Sequence, residues 1–219
     1  MDHQPRSRVR AKKRRRDRLI RLAATPADWA LGFADEVWWS RVSQPDCHAS
    51  AAEQPLRLVE QTVAPADPDP KALAADGRLL AGAGSPEPEV WLRFSAGRPV
   101  SGLTAAFLDW CWAGLAARGK TALLLVWDNA GWHLSKEVHG WLRQHNRAVQ
   151  QAGHGVRIVA CFLPTKSPWL KPLEPHGVHG KRQVAEPARL LSADELERRV
   201  CAAFHVPHYD QLTLTNDAA

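Results

Sequence analysis

Residues 123–138 read LLLVWDNAGWHLSKEV, and this stretch decides the fold. It begins with five apolar residues in a row, which predicts a strand covered on both faces, because a strand with one face in water alternates apolar and polar residues. Apolar residues then recur at helical spacing from Leu134 to Val149, which predicts an amphipathic helix. A buried strand followed directly by a helix is typical of an α/β sheet.

The remaining elements are placed around this strand by their periodicity. Upstream we expect three strands and an amphipathic helix, at 31–39, 55–63, 90–94 and 101–117. Residues 77–89 are rich in Gly and Pro and predict an exposed loop. Downstream we expect a buried strand over 156–162 and a last helix opened by a capping box, in which Ser192 and Glu195 stand three apart. This order predicts an α/β sheet whose first three strands form an antiparallel meander.

Composition indicates one folded domain with tails. The chain has 219 residues, 45% apolar and 24% charged, as in ordinary soluble proteins. It lacks an uninterrupted apolar run of about 18 residues, so we expect no membrane contact, and its basic start lacks the apolar segment of a secretion signal. We therefore expect a cytoplasmic protein with three parts, at 1–25, 26–206 and 207–219: a basic arm, a folded body and a C-terminal tail.

Positive charge is concentrated at the N-terminus. Residues 1–21 contain ten Lys or Arg and two Asp, a net charge of +8, while the rest of the chain carries −2. A basic arm on a nearly neutral body suggests a polyanionic partner, because such arms neutralise phosphates and release counterions. The alternative interpretation is a solvated tail with no partner.

Three acidic residues stand at the ends of predicted elements. Asp35 lies within the first strand, Asp128 follows the buried LLLVW run, and Glu174 comes at the expected start of a helix. Carboxylates that converge from strand ends can hold hard cations such as Mg²⁺. The alternative is structural: Asp128 and Asn129 would form an Asx-type turn, and Asp35 would be a charge on an edge strand.

Three segments resemble the motifs of a known family. They are GFADEVWWSR (32–41), LVWDNAGWHLSKEV (125–138) and LPTKSPWLKPLEP (163–175), with DPDPKAL (67–73) and VHGKR (178–182) as further matches. They are similar to the bacterial insertion-sequence transposases of the mariner-like DDE superfamily, of the insertion sequence 630 type. The resemblance covers roughly residues 10–205.

The resemblance implies an RNase H-like catalytic domain over residues 26–206. Carried over by motif, Asp35, Asp128 and Glu174 would be the catalytic residues and would hold two Mg²⁺ or Mn²⁺ ions for DNA strand cleavage and strand transfer. The implied partner is double-stranded DNA, both transposon ends and target. A homodimer is left open. The implied location is the bacterial cytoplasm, in association with the nucleoid when the protein is bound to DNA.

Two departures from the family keep a second function open. Full-length members carry N-terminal helix-turn-helix units, whereas here only the basic arm precedes the first strand. Lys171 replaces the usual Asn three residues before Glu174, and its charge could weaken metal binding. The alternative function is a catalytically inactive transposase remnant with at most non-specific nucleic-acid binding.

Other polar residues receive weaker assignments. Asn129 and His133 belong to the same motif as Asp128 and are expected to be auxiliary, with a structural or capping role as the alternative for His133. The candidate nucleic-acid contacts are the cations of the arm and those around Glu174, with a solvated face as the alternative: Lys12, Lys13, Arg14, Arg15, Arg16, Lys166, Lys171, Lys181 and Arg182. A zinc site is disfavoured because the spacing of the candidate ligands does not match a closed tetrahedral site: His176, His179, Cys201, His205 and His208.

Overall fold

The computed structural model describes residues 6–42, 61–82, 88–164, 173–186 and 189–214, with side chains omitted at 6–8, 81–82 and 173–178. Ten regular elements lie in these ranges. In chain order they are α1 (Arg6–Ala23), β1 (Trp29–Ser40), β2 (Ala72–Gly82), β3 (Glu89–Ser95), α2 (Ser101–Ala117), β4 (Ala122–Trp127), α3 (Lys136–Ala152), β5 (Arg157–Phe162), α4 (Leu173–Val184) and α5 (Ala193–Ala203).

The strands form one mixed sheet in the order β3-β2-β1-β4-β5. β1, β2 and β3 pair antiparallel, while β4 runs parallel to β1 and β5 runs parallel to β4. All six residues of β4 are buried, as the apolar run predicted. The mixed α/β sheet with its antiparallel meander is therefore confirmed.

Helices cover both faces of the sheet. On one face, α2 and α3 pack on a core that includes Leu123, Leu125 and Trp127 of β4. On the other face, α1 packs over Leu124 and Val126, while α4 and α5 cover β1, β2 and β3 around Trp39 and Phe94. Neighbouring residues of β4 thus enter different cores, because side chains alternate along a strand.

The second strand lies elsewhere than predicted. The structure places β2 at 72–82, which overlaps the expected exposed loop at 77–89. Of the stretch predicted as a strand, residues 55–60 lie outside the described part of the chain, and 61–63 have no regular structure. The alternation of apolar and polar residues did not reveal β2, because two of its charged residues are buried. Asp76 and Arg78 point into the protein with exposed fractions of 3% and 0%.

The basic N-terminal segment forms a helix that is packed on the sheet. Leu19, Ile20 and Ala23 of α1 lie against the core beside Phe33 and Leu124. The segment expected to be a basic arm is therefore a helix from Arg6 to Ala23 whose apolar residues join the core.

The last described residues also pack on the body. Leu212 is 5% exposed, and its backbone forms hydrogen bonds to Phe94 and Ala96 at the end of β3. Residues up to Leu212 therefore contribute to the core. No helix within the described ranges is both long enough and apolar enough to cross a bilayer.

Candidate active site

Asp35 and Asp128 lie at the same level of neighbouring strands: Asp35 is within β1, paired with Gly77 of β2, and Asp128 directly follows β4. The parallel pairing of β1 with β4 runs up to Phe33 and Val126, and each aspartate comes two residues later. Phe33 and Val126 point to the face covered by α1, so alternation directs both aspartates to that face as well. The structure thus brings these two predicted site residues to one edge.

The third predicted residue lies in the first turn of a helix. α4 begins at Leu173, so the expectation that Glu174 stands at a helix start is confirmed, while its side chain is outside the described part. α4 packs on the face of β1 to which Asp35 points. The backbone of Glu174 therefore belongs to the same side of the sheet as the two aspartates.

A glycine fixes how closely α4 approaches the sheet. A Cβ atom added to Gly180 would lie 2.7 Å from Cζ of Phe204 and 3.0 Å from Cη2 of Trp39. Both distances are below ordinary contact, so only glycine allows this approach without movement of a ring. The sequence analysis did not identify Gly180, because the need for it comes from Trp39 and Phe204, which are distant in sequence.

His133 joins Asp128 to an acid on the opposite face of β1. Its Nδ1 lies 2.9 Å from Oδ1 of Asp128, and its Nε2 lies 2.6 Å from Oε1 of Glu36. The side chain of His133 is 1% exposed, and its ring stacks on Trp127. Because side chains alternate along a strand, Glu36 points away from Asp35 and meets His133 on the α2 side.

The charge of His133 follows from these contacts. Burial disfavours the imidazolium, but the hydrogen bonds and negative charges of Asp128 and Glu36 outweigh burial and raise the pKa of His133 to about 9. Both ring nitrogens then carry protons and donate, one to each carboxylate. His133 thus contacts Asp128 through one ring nitrogen and Glu36 through the other.

Further hydrogen bonds hold the loop that carries Asp128. The backbone N–H of Ala130 donates to Oδ1 of Asp128 at 2.9 Å, which is the Asx-type turn given above as the structural alternative. Nδ2 of Asn129 donates to the carbonyl of Leu163, at 2.6 Å. The auxiliary residue Asn129 thus ties the end of β4 to the end of β5.

A second buried acid lies behind the site. Asp76 pairs with Glu36 across β1 and β2, and its Oδ2 accepts a hydrogen bond from the Ser95 hydroxyl at 2.5 Å. Burial, followed by the negative charge of Glu36, raises the pKa of Asp76 to about 7. The sequence analysis missed Asp76, because it assigned residues 77–89 to a loop and gave no strand to the residues before them.

The predicted nucleic-acid contacts fall into two described groups. In α1, Lys13, Arg14 and Arg15 are exposed, whereas Lys12 and Arg16 are half-buried. In α4, Lys181 and Arg182 are exposed in the last turn. Lys166 and Lys171 lie outside the described residues.

The donor set at the sheet edge fits a hard divalent cation. Carboxylate oxygens are the ligands that Mg²⁺ and Mn²⁺ prefer, and two carboxylates arise here from adjacent strands. Among the side chains that the structure describes, no group of three or more His, Cys, Asp or Glu residues is placed to share one metal ion. The side chain of Glu174 is not among those described. Of the disfavoured zinc set, His208 instead contacts Oε2 of Glu197 at 2.7 Å.

Sequence comparisons find no relatives. No protein-family model matches the chain, and no curated protein sequence matches it.

Several solved structures have a fold similar to that of this chain. The Mos1 mariner paired-end complex with Mn is similar over 94% of this chain and 57% of that chain, with 14% identity and a TM-score of 0.62. The Mos1 strand transfer complex is similar over 94% and 56%, with 13% identity and a TM-score of 0.57. The catalytic domain of Mos1 mariner transposase is similar over 94% and 86%, with 14% identity and a TM-score of 0.50.

These similarities concern the fold. The chain spans a little over half of the length of the first two Mos1 chains, and the match to the isolated catalytic domain covers most of that domain. The mixed five-stranded sheet with helices on both faces is the RNase H-like fold that the sequence motifs implied. This chain has the fold of the mariner transposase catalytic domain.

Proposed function

We propose that this chain is the catalytic domain of a DDE transposase that cuts and joins DNA strands with divalent metal ions. The observation that carries the proposal is the position of Asp35 and Asp128, which lie on one face of the sheet, each two residues beyond the point where the parallel pairing of β1 with β4 ends. The motifs around both residues resemble those of insertion sequence 630 type transposases. The fold is similar to that of the Mos1 catalytic domain.

The proposed metal site consists of Asp35, Asp128 and Glu174. Mos1 structures are complexes with Mn and with Mg, which supports Mg²⁺ or Mn²⁺ here. Two such ions, when bound, would activate the attacking oxygen and stabilise the leaving oxygen of a phosphodiester. Three carboxylates close together repel one another, and a divalent cation relieves that repulsion.

The chain's own residues would keep the site in position. His133 fixes one oxygen of Asp128 from behind, and Glu36 in turn fixes His133. Asn129 holds the loop against Leu163 at the end of β5. Preorganisation of this kind is important because a ligand that moves by an ångström loses much of its catalytic value.

The proposed partner is double-stranded DNA, both transposon ends and target. Mos1 structures are strand transfer and paired-end complexes, one of them with the left transposon end. A paired-end assembly would need two copies of this chain, so a homodimer is part of the proposal. Recognition of particular end sequences would need the family's helix-turn-helix units.

Nicking of supercoiled plasmid tests the proposal. We expect weak, sequence-independent nicking in Mg²⁺ or Mn²⁺ and none in chelator. Asp35→Asn, Asp128→Asn and Glu174→Gln should each abolish it, since an amide keeps the shape but loses the ligand charge. Asp194→Asn is the matched control, because Asp194 lies on α5 in an exposed ion pair with Arg198. Cleavage without metal, or an Asp128→Asn variant as active as the parent, would overturn the mechanism.

The same assay separates the active enzyme from the inactive remnant. A parent protein that nicks no DNA in either metal, yet still binds it, would favour the remnant. Lys171→Asn restores the residue usual in the family. If Lys171→Asn creates metal-dependent nicking in an inactive parent, the lysine is what inactivates the parent. If it lowers the activity of an active parent, the lysine contacts a phosphate.

A further inference from the structure

Helix α1 and the two aspartates share one face of the sheet. The core beneath α1 contains Phe33 of β1 and Val126 of β4. Asp35 and Asp128 each follow one of these residues by two positions, so their side chains alternate back to the same face. α1 rests on β1 and β4, the two strands that carry the aspartates.

The helix runs antiparallel to β1. Its C-terminal end at Ala23 is joined to the start of β1 by a short turn, in which the N–H of Trp29 donates to the carbonyl of Pro26. Further up the helix, the positive charges of Arg15 and Arg16 act on Cys161, which pairs with Val126 near the end of β5. The first half of α1 therefore extends toward the edge where the aspartates lie.

The outer surface of α1 carries a cationic ridge. We use this name for Arg10, Arg14, Arg18 and Arg21, which recur at helical spacing on one side of the helix and are exposed. Leu19, Ile20 and Ala23 lie on the other side, against the sheet. Among the described residues none of the four arginines forms an ion pair, whereas the neighbouring Arg16 is paired with Asp17.

We propose that the cationic ridge of α1 binds the phosphate backbone of duplex DNA and aligns the duplex across Asp35 and Asp128. This role in alignment rests on the proposed function. DNA binding by the ridge does not depend on the proposed function, because residues 1–21 carry +8 and the rest of the chain −2 whatever the protein's activity. Arginines fixed on a packed helix contact phosphates from one direction, so they set the path of the duplex, which a flexible arm cannot do.

The direction of α1 determines how far each arginine of the cationic ridge lies from the two aspartates. Each helical residue advances about 1.5 Å, so Arg10 lies about 7.5 Å beyond Arg15 toward the edge with the aspartates. Arg21 lies over the opposite half of the sheet. A duplex that follows the ridge must therefore pass the edge where a scissile phosphate would meet Asp35 and Asp128.

Two charge-matched double variants test the proposal by DNA binding in chelator. Arg14→Gln with Arg18→Gln removes two exposed charges four residues apart on α1. Arg143→Gln with Arg147→Gln removes two exposed charges at the same spacing on α3, which lies on the opposite face of the sheet. The affinity for a short duplex is measured over a series of salt concentrations, with thermal melting as the check on folding.

We expect the slope of log affinity against log salt to fall in magnitude by about 2 in the α1 variant, since each lost phosphate contact removes about 0.9. The α3 variant should keep the parent's slope, and Arg14→Lys with Arg18→Lys should keep most of it. Equal slopes for the parent and the α1 variant would overturn the proposal, as would equal losses in the α1 and α3 variants.

The outcome is separate from that of the nicking assay. Binding is measured without metal, so a protein that cuts no DNA can still show a smaller salt slope in the α1 variant. That result would support DNA binding by the cationic ridge and contradict the proposed activity. The opposite result is metal-dependent cleavage with the same salt slope in the parent and in the Arg14 and Arg18 variant. It would support the proposed activity and contradict DNA binding by the cationic ridge.

Discussion

Nε2 of His133 lies 2.6 Å from Oε1 of Glu36, and this contact fastens the loop after β4 to β1 behind the candidate site. The exposed fractions of the two side chains are 1% and 10%. A buried pair of this kind contributes little compared with an apolar replacement, but removal of one partner leaves a buried charge without compensation.

We therefore predict that His133→Ala lowers the free energy of unfolding by roughly 3–5 kcal/mol. The double variant with Glu36→Gln should recover part of that loss, because the uncompensated charge is gone. Urea unfolding of the single and double variants measures the coupling. Arg198→Ala is the control: the ion pair of Arg198 with Asp194 is exposed, and its loss should cost less than about 1 kcal/mol. Additive effects of the two buried substitutions would contradict the prediction.

The second prediction concerns the pH dependence of stability. Burial and the charge of Glu36 raise the pKa of Asp76 from 3.8 to about 7, against the opposing effects of Ser95 and His133. Between about pH 4 and pH 7 the folded protein therefore holds a proton that the unfolded chain has lost. The contribution of Asp76 to stability falls as the pH rises through this window and levels off above it.

Asp76→Asn removes this dependence, because the amide is neutral at every pH and can still accept the hydrogen bond from Ser95. The variant should gain stability over the parent from pH 4 to pH 7, by on the order of 4 kcal/mol, since the window spans about three pH units and each corresponds to about 1.4 kcal/mol. Chemical unfolding at a series of pH values checks this. Asp109→Asn, an exposed change on α2, should show no such trend. A constant difference between the Asp76 variant and the parent would contradict the prediction.

Two glycines in helices allow a matched test of the packing of α4. A Cβ at Gly180 meets Phe204 and Trp39, whereas a Cβ at Gly140 of α3 has no neighbour within 4 Å. We predict that Gly180→Ala destabilises the protein by about 1–2 kcal/mol, since overpacking outweighs the gain in helix propensity. Gly140→Ala should stabilise it by about 0.5–1 kcal/mol.

Activity gives a second measurement for the same pair. Because α4 carries Glu174, a shift of α4 should also lower metal-dependent nicking in the Gly180 variant and leave it unchanged in the Gly140 variant. Equal stabilisation by the two alanines would mean that the rings of Phe204 and Trp39 move aside at no cost.

The fourth prediction concerns the C-terminal segment. Leu212 is 5% exposed and packs in the core beside α2 and α3, whereas Leu214 is 56% exposed. Leu212→Ala should cost roughly 2–4 kcal/mol and Leu214→Ala much less, because only the former leaves a cavity. A chain ending at Val206 should melt at a lower temperature than the full chain. Melting curves of the three variants decide it, and a truncated chain as stable as the parent would show that the segment is dispensable.

The sequence predicted the elements whose apolar pattern matches a simple period. α2 was predicted at 101–117, the range observed, and β4 and β5 differ from their predicted ranges by one residue at the start. The capping box of Ser192 and Glu195 opens α5 as expected. These elements bury apolar faces and keep polar residues outside, so pattern and environment agree.

In β2 and α1, the two elements that were not predicted, the sequence pattern and the environment disagree. β2 buries Asp76 and Arg78, and the guanidinium of Arg78 lies over the ring of Trp91 at 4.7 Å, so two charged residues occupy core positions. Periodicity could not recognise such a strand, and it favoured residues 55–63 instead. α1 was not recognised because its basic residues hide a narrow apolar face.

The candidate site was predictable in part. Strand ends and the motif resemblance predicted one site for Asp35 and Asp128, and the structure places the two residues at the same level of neighbouring strands. The role of His133 was not predictable, because its link to Glu36 joins residues almost a hundred positions apart and depends on how the loop after β4 turns back. Glu174 stands in the first turn of α4, as predicted, and its role stays a prediction.

The pairing of β1 with β4 has a consequence for folding. The paired residues Trp29 and Ala122 are about 90 positions apart in the chain, whereas β2 and β3 pair within a short hairpin. Contacts between such distant segments form slowly, because the entropy of closing the loop is lost before any contact repays it. Asp35 and Asp128 can therefore come to neighbouring strands only after nearly three fifths of the chain has been synthesised and the long loop has closed. The proposed metal site would thus form late in folding, after the hairpin of β2 and β3.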